Sequence, residues 1–415
     1  MAQRMPQSPV AQPMTQSLTP PIAQSTAAAP VRLLLLWDSV PSHGTGAGVV
    51  LRRLLETYPQ ERLWLLTSSR GVRAARSQDP LPDDAHTATV PRFAIPWRGL
   101  HLLVPLLNTL LIPLIVWRGV RMVRRHSIQG LFAVPWNEYC AAAYFIHRLT
   151  GCPLFAYFMD DPLGSPGARS GFLYRPLMPR FLRAARRIWG ISPAMCTHLE
   201  TVYGVKCELL LPTLDSDAPA APARPTEPRG AEVRIVYTGA IYGAQLDALR
   251  NLVQALNLDP SSPNLSLTLY TSLDEAALRE MGLTGANIRR AYVPSAEIPS
   301  VLSAADVLFL PLSFAPDQQH VVQTSLPTKL AEYLASGTPI LVHAPPYASV
   351  TKYCREHRFG LIVDAPDPVR LEQALRQLAG DPKLREDLSR NARATLAANH
   401  SRESVLPRFL SGMAS

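Results

Sequence analysis

Lys329 and Glu332, three positions apart, are the pair of charged residues that best suits a binding site. Pro327 suits the first turn of a helix and Gly337 suits its end, so the sequence predicts a short helix between them. On that helix, Lys329 and Glu332 share one side near the N-terminus. A cation beside the free N–H groups of a helix start suits a phosphate. The carboxylate one turn later suits the hydroxyls of a sugar.

Three further carboxylates follow predicted strands in the first half of the chain. Glu138 comes after the apolar run 128–134, and Asp160 and Asp161 come after the run 153–158. Ligands bind beyond the carboxyl ends of the strands in open α/β sheets, so these side chains are candidates for catalysis. Adjacent aspartates before a proline are also typical of turns and helix caps, and this structural alternative stays open.

A glycine-rich loop near the start of the chain is the next candidate. The apolar run 31–37 leads into a loop that contains Gly44, Gly46 and Gly48, and residues 49–58 then have helical periodicity. Strand, glycine loop and helix in this order are typical of the start of a nucleotide-binding fold. The glycine spacing differs from that of dinucleotide-binding and P-loop motifs. We therefore interpret the loop as one that gives a ligand or acceptor close access to the backbone.

The elements that must position these residues alternate between strand and helix, and the alternation occurs twice. The prolines of residues 217–230 interrupt it and predict a semi-stiff linker. Residues 31–216 and 231–395 then form two αβ domains with a cleft between them. We expect residues 1–30, rich in Gln, Ser, Pro and Ala, to be a disordered tail. We expect residues 396–415 to form a C-terminal helix that packs back on the N-terminal domain.

Composition restricts the class of function and the compartment. The 415 residues include 47% hydrophobic and 18% charged residues, as in a globular protein, and the formal net charge is +9. This charge suits an anionic membrane or substrate. Neither an RNA-binding aromatic signature nor a basic DNA-reading helix is present, which argues against nucleic acid as a partner. The five cysteines include no Cys-x-x-Cys pair, which argues against a disulfide framework and against a zinc site. They indicate reduced thiols in the cytoplasm.

Residues 102–117 form an uncharged apolar stretch, and it is followed by Arg118, Arg121, Arg124 and Arg125. Its 16 residues are fewer than the roughly 20 that a membrane-spanning helix needs. Two interpretations stay open. One is a buried helix whose terminal arginines suit the helix dipole. The other is an interfacial segment that binds an anionic membrane, which would make the protein peripheral to the inner face of the plasma membrane.

Four short motifs follow one another in the second half of the chain. They are Val-Tyr-Thr-Gly at 236–239, Ala-Ala-Asp-Val-Leu-Phe-Leu-Pro at 304–311, Lys-x-x-Glu-Tyr-x-Ala-x-Gly-x-Pro at 329–339 and Gly-Leu-Ile-Val at 360–363. Together they resemble the retaining GT-B glycosyltransferases of the glycosyl transferase group 1 class, which includes glycogen-synthase-like enzymes. The resemblance covers roughly residues 190–400 well and residues 31–190 more loosely. It implies an α/β fold in which two Rossmann-like domains face each other across a cleft.

The resemblance assigns donor-binding roles to five residues. Glu332 falls at the family's ribose-binding glutamate, and Thr328 and Lys329 fall where the family holds the donor diphosphate. Tyr292 and Val293 fall near the position that binds the base. Lys329 would then supply the positive charge that stabilises the leaving diphosphate.

Several positions match the family only in part. Gly239 falls on the glycine of the first βα loop, which approaches the diphosphate, but Ala240 and Tyr242 stand where relatives often carry Arg and Lys. Thr324 stands where most relatives carry a carboxylate that contacts the transferred sugar. Asp160 stands where many relatives carry a histidine, and we interpret it as a replacement for that residue.

The reaction implied by the resemblance is transfer of a sugar, with retention, from a nucleoside-diphosphate sugar to a saccharide or lipid-linked acceptor. Its predicted setting is the synthesis of a cell-surface polysaccharide or glycolipid. We expect no cofactor and no required metal, because helix N–H groups and Lys329 supply positive charge and no convincing Asp-x-Asp motif is present. The main alternative is a catalytically degenerate GT-B protein that serves in binding or assembly. The missing carboxylate at Thr324 favours this alternative. Another GT-B enzyme, such as a sugar-nucleotide epimerase or a phosphorylase, is the third.

Overall fold

Alternating strands and helices build two parallel β-sheets in the computed structural model, one in each half of the chain. The structure describes six ranges, which are residues 30–76, 86–93, 104–161, 176–214, 232–258 and 265–414. The predicted linker 217–230 and all but the last residue of the predicted tail 1–30 lie outside the described residues.

In the described part of the first half, seven strands form one sheet in the order β3-β2-β1-β4-β5-β6-β7. The strands are β1 Leu33–Leu36, β2 Leu63–Ser68, β3 Thr87–Val90, β4 Gly130–Ala133, β5 Leu154–Phe158, β6 Ala185–Gly190 and β7 Glu208–Leu209. The helices are α1 Gly46–Leu55, α2 Ser69–Arg76, α3 Val104–Thr109, α4 Ile112–His126, α5 Asn137–Thr150, α6 Met178–Ala184 and α7 Pro193–Tyr203. Strands β1, β2, β4 and β5 are buried throughout, as expected where helices cover both faces of a parallel sheet.

The second half has a six-stranded sheet among its described residues, in the order β10-β9-β8-β11-β12-β13. The strands are β8 Val233–Thr238, β9 Leu265–Tyr270, β10 Ile288–Ala291, β11 Val307–Pro311, β12 Ile340–His343 and β13 Gly360–Val363. The helices are α8 Gly243–Leu256, α9 Glu275–Glu280, α10 Ile298–Ala304, α11 Gln319–Thr324, α12 Leu330–Ser336, α13 Ser349–His357, α14 Pro368–Gly380, α15 Pro382–Thr395 and α16 Arg402–Ala414. Because all pairings are parallel, the carboxyl ends of the strands meet at one edge of each sheet.

The helix that carries Glu332 begins later than the position of Pro327 predicts. Pro327 lies before the helix, and its carbonyl accepts a hydrogen bond from the Leu330 N–H at 3.0 Å, which closes a tight turn. Helix α12 starts at Leu330 and ends before Gly337, which adopts φ of 68°, as expected of a glycine helix stop. Lys329 is therefore the cap of the helix and not a member of its first turn.

Helix α16 belongs to the second half of the chain but packs in the core of the first. The Phe409 ring lies 5.3 Å from that of Phe132 and 5.8 Å from that of Trp189. A Cβ on Gly412 would lie 2.5 Å from Cζ2 of Trp189, so only glycine allows this close approach. Arg402, at the start of α16, pairs with Glu56 at 2.6 Å.

The two points at which the described chain passes between the domains are bonded to each other. His400, which precedes α16, has Nδ1 2.7 Å from the Pro212 carbonyl oxygen. The Thr213 hydroxyl donates to the His400 carbonyl at 2.8 Å. Burial lowers the pKa of His400 to about 4, so the ring is neutral at physiological pH and donates from Nδ1. The two crossings therefore form one hydrogen-bonded junction.

Candidate active site

The glycine loop of the N-terminal domain lies across the cleft from the Lys329 motif. A Cβ on Gly46 would lie 3.0 Å from Oγ1 of Thr328. Gly48 is enclosed by its own loop, since a Cβ there would lie 2.7 Å from the Ser42 carbonyl oxygen. The Thr45 hydroxyl accepts a hydrogen bond from the Gly48 N–H at 3.1 Å and so caps the N-terminus of helix α1. The structure thus brings the predicted loop, including Gly46, against the predicted diphosphate site.

Lys329 lies at the carboxyl end of strand β8. Its Nζ donates to the Thr238 carbonyl at 2.6 Å and lies 3.8 Å from the centre of the Tyr237 ring. Gly239 has φ of 107°, and a Cβ on it would lie 3.3 Å from this Nζ. Desolvation lowers the pKa of Lys329 to about 7, and the charge of Glu332 opposes this shift. The Lys329 amine is therefore poised to gain a proton when an anion approaches.

Glu332 pairs with Arg53, which comes from helix α1 of the opposite domain. The guanidinium of Arg53 is buried and its Nη1 also donates to the Thr213 carbonyl at 3.3 Å. Arg53 was not among the residues predicted from the sequence. The available signal was a lone arginine on the buried face of α1, beside Val50 and Leu54.

Asp160 and Asp161 both take part in contacts between the domains, and they do so separately. The Asp160 carboxylate accepts from the Ser325 hydroxyl. Desolvation raises the pKa of Asp160, the Ser325 hydroxyl opposes that rise and the charge of Asp161 adds to it. Asp161 is buried, and its Oδ2 lies 3.0 Å from Nε2 of His198 and 2.7 Å from Nε2 of His320.

Glu138 belongs to a different polar cluster, at the carboxyl ends of β1, β3 and β4. Its Oε1 lies 3.3 Å from Nε of Arg92, which also pairs with Asp38. The Asn137 amide donates to Asp38 at 3.0 Å. Desolvation raises the pKa of Glu138, and the charge of Arg92 opposes the rise. The structure therefore places Glu138 within the N-terminal domain as a buried, paired carboxylate.

The remaining predicted donor-side residues differ in how far they are presented to solvent. Tyr292 is exposed and Val293 is half-buried at the end of the edge strand β10. Ala240 is exposed, and its carbonyl accepts from the Tyr237 hydroxyl at 2.5 Å. Thr324 is buried and donates its hydroxyl to the His320 carbonyl at 2.9 Å, so its side chain is not presented to the cleft.

The described residues also contain a cluster that was not predicted from the sequence, formed by Asp161, His198 and His320. Its three side-chain ligand atoms lie within 4.8 Å of one another. The two histidines are on separate helices in separate domains, so no short motif in the sequence marks them.

The match to a family model covers the second half of the chain. Residues 284–395 match the family described as glycosyl transferases group 1. No curated protein sequence matches the chain.

Solved structures with the same fold include HepE and two sugar-phosphate synthases. HepE of Anabaena, in complex with UDP and glucose, aligns with a TM-score of 0.64 at 14% identity over 93% of this chain and 100% of that chain. Sucrose-phosphate synthase from Thermosynechococcus elongatus aligns with a TM-score of 0.65 at 15% identity, over 91% and 96%. The α,α-trehalose-phosphate synthase of Burkholderia xenovorans aligns with a TM-score of 0.64 at 11% identity, over 92% and 100%.

These comparisons confirm the predicted GT-B fold, with two Rossmann-like domains, and the predicted resemblance to the group 1 family. They also support the prediction that the protein is a transferase. Residues 284–395 match the glycosyl transferases group 1 model, and the chain as a whole has the fold of the GT-B glycosyltransferases.

Proposed function

We propose that the protein transfers a sugar from a nucleoside-diphosphate sugar to a hydroxyl of a saccharide or lipid-linked acceptor. The observation that carries the proposal is the convergence of Lys329, Gly239 and Thr328 with Gly46 of the facing domain. A lysine cation, a glycine with positive φ and a nearby helix start together suit a diphosphate. A diphosphate bound there would contact Lys329 in place of the Thr238 carbonyl.

The nucleotide part of the donor is proposed from two further observations. HepE of Anabaena was crystallised with UDP and with UDP-glucose, and its fold spans nearly all of this chain. Tyr292 is exposed at the end of the edge strand, where an aromatic ring can stack on a base. Glu332 would bind the ribose hydroxyls, which requires its pairing with Arg53 to loosen or to be shared.

The chemistry that we propose is stabilisation of the leaving diphosphate as the bond to the sugar breaks. Lys329 and the N–H groups before α12 would carry this role without a metal. Asp160, which contacts Ser325 across the cleft, would orient the transferred sugar or the acceptor hydroxyl. The acceptor would bind on the N-terminal side, between the glycine loop and the cluster of Asp38, Arg92 and Glu138. We propose retention and a role in cell-surface polysaccharide or glycolipid synthesis on the basis of the family resemblance.

Binding of nucleoside diphosphates tests the proposal directly. Calorimetry with UDP, GDP and ADP should find at least one that binds, and Lys329→Ala and Glu332→Ala should each weaken it at least tenfold. Lys352→Ala and Glu356→Ala are matched controls, because both side chains are exposed on α13. We expect the controls to bind as the wild type does. Binding to none of the three nucleotides would favour the non-catalytic alternative, and unchanged affinity in both site variants would contradict the assigned positions.

We also propose that the segment of α3 and α4 lies on an anionic membrane surface at the cytoplasmic face. Among the described residues, the stretch Val104–His126 is long and apolar enough to cross a membrane by length and composition, and 28% of its most apolar window is buried. Leu106, Leu110 and Trp117 are exposed, and basic side chains follow them on α4. Exposed apolar groups beside arginines suit the headgroup region of an anionic bilayer.

Flotation with liposomes separates the possibilities for this surface. The protein should float with vesicles that contain phosphatidylglycerol at low salt, and it should be released by high salt or by alkaline carbonate. Leu110→Ser combined with Trp117→Ser should abolish flotation, whereas Leu149→Ser, at an exposed leucine of α5, should not. Resistance to carbonate would indicate a spanning segment, and absence of flotation at low salt would contradict membrane binding.

A further inference from the structure

We infer that Asp161, His198 and His320 form a binding site for a divalent transition-metal ion such as Zn²⁺, and that this ion joins the two domains. Asp161 follows strand β5 and His198 lies on α7, both in the N-terminal domain. His320 lies on α11 of the C-terminal domain. The site is independent of the proposed diphosphate position and does not rest on the proposed function.

The geometry of the three ligand atoms is close to that of a metal site. Oδ2 of Asp161 lies 3.0 Å from Nε2 of His198 and 2.7 Å from Nε2 of His320. Zinc holds its nitrogen and oxygen ligands at about 2.0–2.2 Å, so ligand atoms on one tetrahedral ion are about 3.3 Å apart. The two distances from Asp161 are thus a few tenths of an ångström shorter than those around a bound ion, and all three ligand atoms lie within 4.8 Å of one another.

The types of ligand point to the class of metal. Two imidazole nitrogens and one carboxylate oxygen suit zinc, cobalt, nickel or iron, and they do not suit calcium or magnesium, which prefer oxygen. Three protein ligands leave one position open for water, as in many zinc enzymes.

Burial of the cluster suits an ion that enters from solvent. The Asp161 side chain is 7% exposed, whereas those of His198 and His320 are 21% and 33% exposed. The carboxylate thus forms the floor of the site and the imidazoles form its walls. Two histidines share one carboxylate oxygen in the structure, and an ion would contact all three ligand atoms at once.

The consequence of metal binding would be a fixed position of α11 against the N-terminal domain. The His198 and His320 rings are 5.1 Å apart, so the ion would lie between helices of the two domains. Helix α11 ends at Thr324, and the next residue is Ser325, which contacts Asp160. An ion at this cluster would therefore hold the segment that leads to Lys329.

Cobalt substitution in the full-length protein, purified without a histidine tag, tests the inference. After dialysis against a chelator, titration with Co²⁺ should give visible d–d absorption that saturates at one ion per chain. Zn²⁺ should displace the cobalt and abolish this absorption. His198→Ala and His320→Ala should each raise the dissociation constant for Co²⁺ at least tenfold. His357→Ala is the matched control, since this half-buried histidine lies on α13, outside the cluster.

Thermal unfolding provides a second measurement. Zn²⁺ should raise the melting temperature of the wild type and of His357→Ala, because an ion that binds only the folded state stabilises it. It should not raise that of His320→Ala. A near-ultraviolet band from a thiolate ligand would instead indicate Cys196 and Cys207, whose sulfur atoms are 3.1 Å apart. Such a band, the absence of cobalt absorption, or equal affinity in the wild type and both cluster variants would overturn the inference.

Discussion

Arg53 and Glu332 form an ion pair between the two domains, although they are 279 residues apart in the sequence. Arg53 lies on the first helix of the N-terminal domain, and Glu332 lies in the first turn of α12. The residue that the family resemblance assigns to the donor ribose is therefore also a residue that links the domains. The proposed ribose binding and the observed contact between the domains therefore involve the same carboxylate.

A double-mutant cycle measures how strongly this pair couples the domains. Arg53→Gln and Glu332→Gln should each lower the free energy of unfolding by about 1–3 kcal/mol, because each leaves a largely buried partner without its counter-charge. The double variant should lose less than the sum of the two. Urea denaturation provides the measurement. The exposed pair Arg390 and Asp387 serves as a control and should show no measurable coupling. Additive effects at Arg53 and Glu332 would show that the pair does not act as a unit.

Proton uptake on nucleotide binding follows from the pKa of Lys329. Desolvation lowers this pKa to about 7, so the free protein holds a largely neutral amine at pH 8. A bound diphosphate raises the pKa again, because a nearby negative charge favours the ammonium. Affinity for UDP should therefore fall as the pH rises above 7, with uptake of up to one proton at pH 8.

Calorimetry in buffers of different ionisation enthalpy measures that uptake. Lys329→Arg keeps its charge at every pH used and should remove the uptake. Lys352→Arg, on the exposed surface of α13, should leave it unchanged. Equal affinity of the wild type at pH 6.5 and pH 8.5 would contradict the assigned role of Lys329.

Acid should destabilise the protein through two buried neutral histidines. Burial lowers the pKa of both His343 and His400 to about 4, against 6.5 for a free histidine. The unfolded chain therefore binds protons that the folded chain does not. The stability present above pH 6.5 is lost as the pH falls from 6.5 towards 4, by up to about 1.4 kcal/mol per pH unit for each group.

Urea denaturation at pH 7.5, 6 and 5 measures this loss. Carboxylates also titrate towards the lower end of this range, so the informative quantity is the difference between the wild type and His343→Gln. The His343 ring contacts the Val363 carbonyl at 2.9 Å and the Asn251 amide at 3.1 Å, and glutamine retains part of this bonding. We expect a shallower pH dependence in the variant. Parallel curves would contradict the assignment.

The packing of Gly412 predicts a cost for even one methyl group. A Cβ there would lie 2.5 Å from Trp189, so Gly412→Ala should destabilise the protein by about 1–3 kcal/mol. Gly380→Ala is the matched control in another helix, because nothing lies within 4 Å of its Cβ position. The control should be neutral or more stable by up to about 1 kcal/mol. Equal melting temperatures of the two variants would contradict the close packing of α16.

Strands were the most predictable feature of this chain, because buried parallel strands are short apolar runs between turn residues. The runs 31–37, 128–134 and 153–158 contain β1, β4 and β5. The predicted start of α12 was wrong, because Pro327 lies in a tight turn before the helix and not in its first turn.

The candidate site was predictable where neighbouring residues or a family motif carried it. Lys329 and Gly239 were both expected at the diphosphate position, and the structure brings them together. Arg53, His198 and His320 were not expected, because their partners lie on other elements. Pairings of this kind depend on how the two domains dock, and a local sequence pattern does not predict docking.

Helix α16 completes the core of the first domain, although it comes last in the chain. A fragment that stops before the second sheet would lack Phe409 and expose the rings of Phe132 and Trp189 that it covers. A fragment that begins at the second sheet would carry α16 without its binding surface. We therefore expect that the first domain, expressed by itself, needs residues 402–414, either fused to it or added as a peptide.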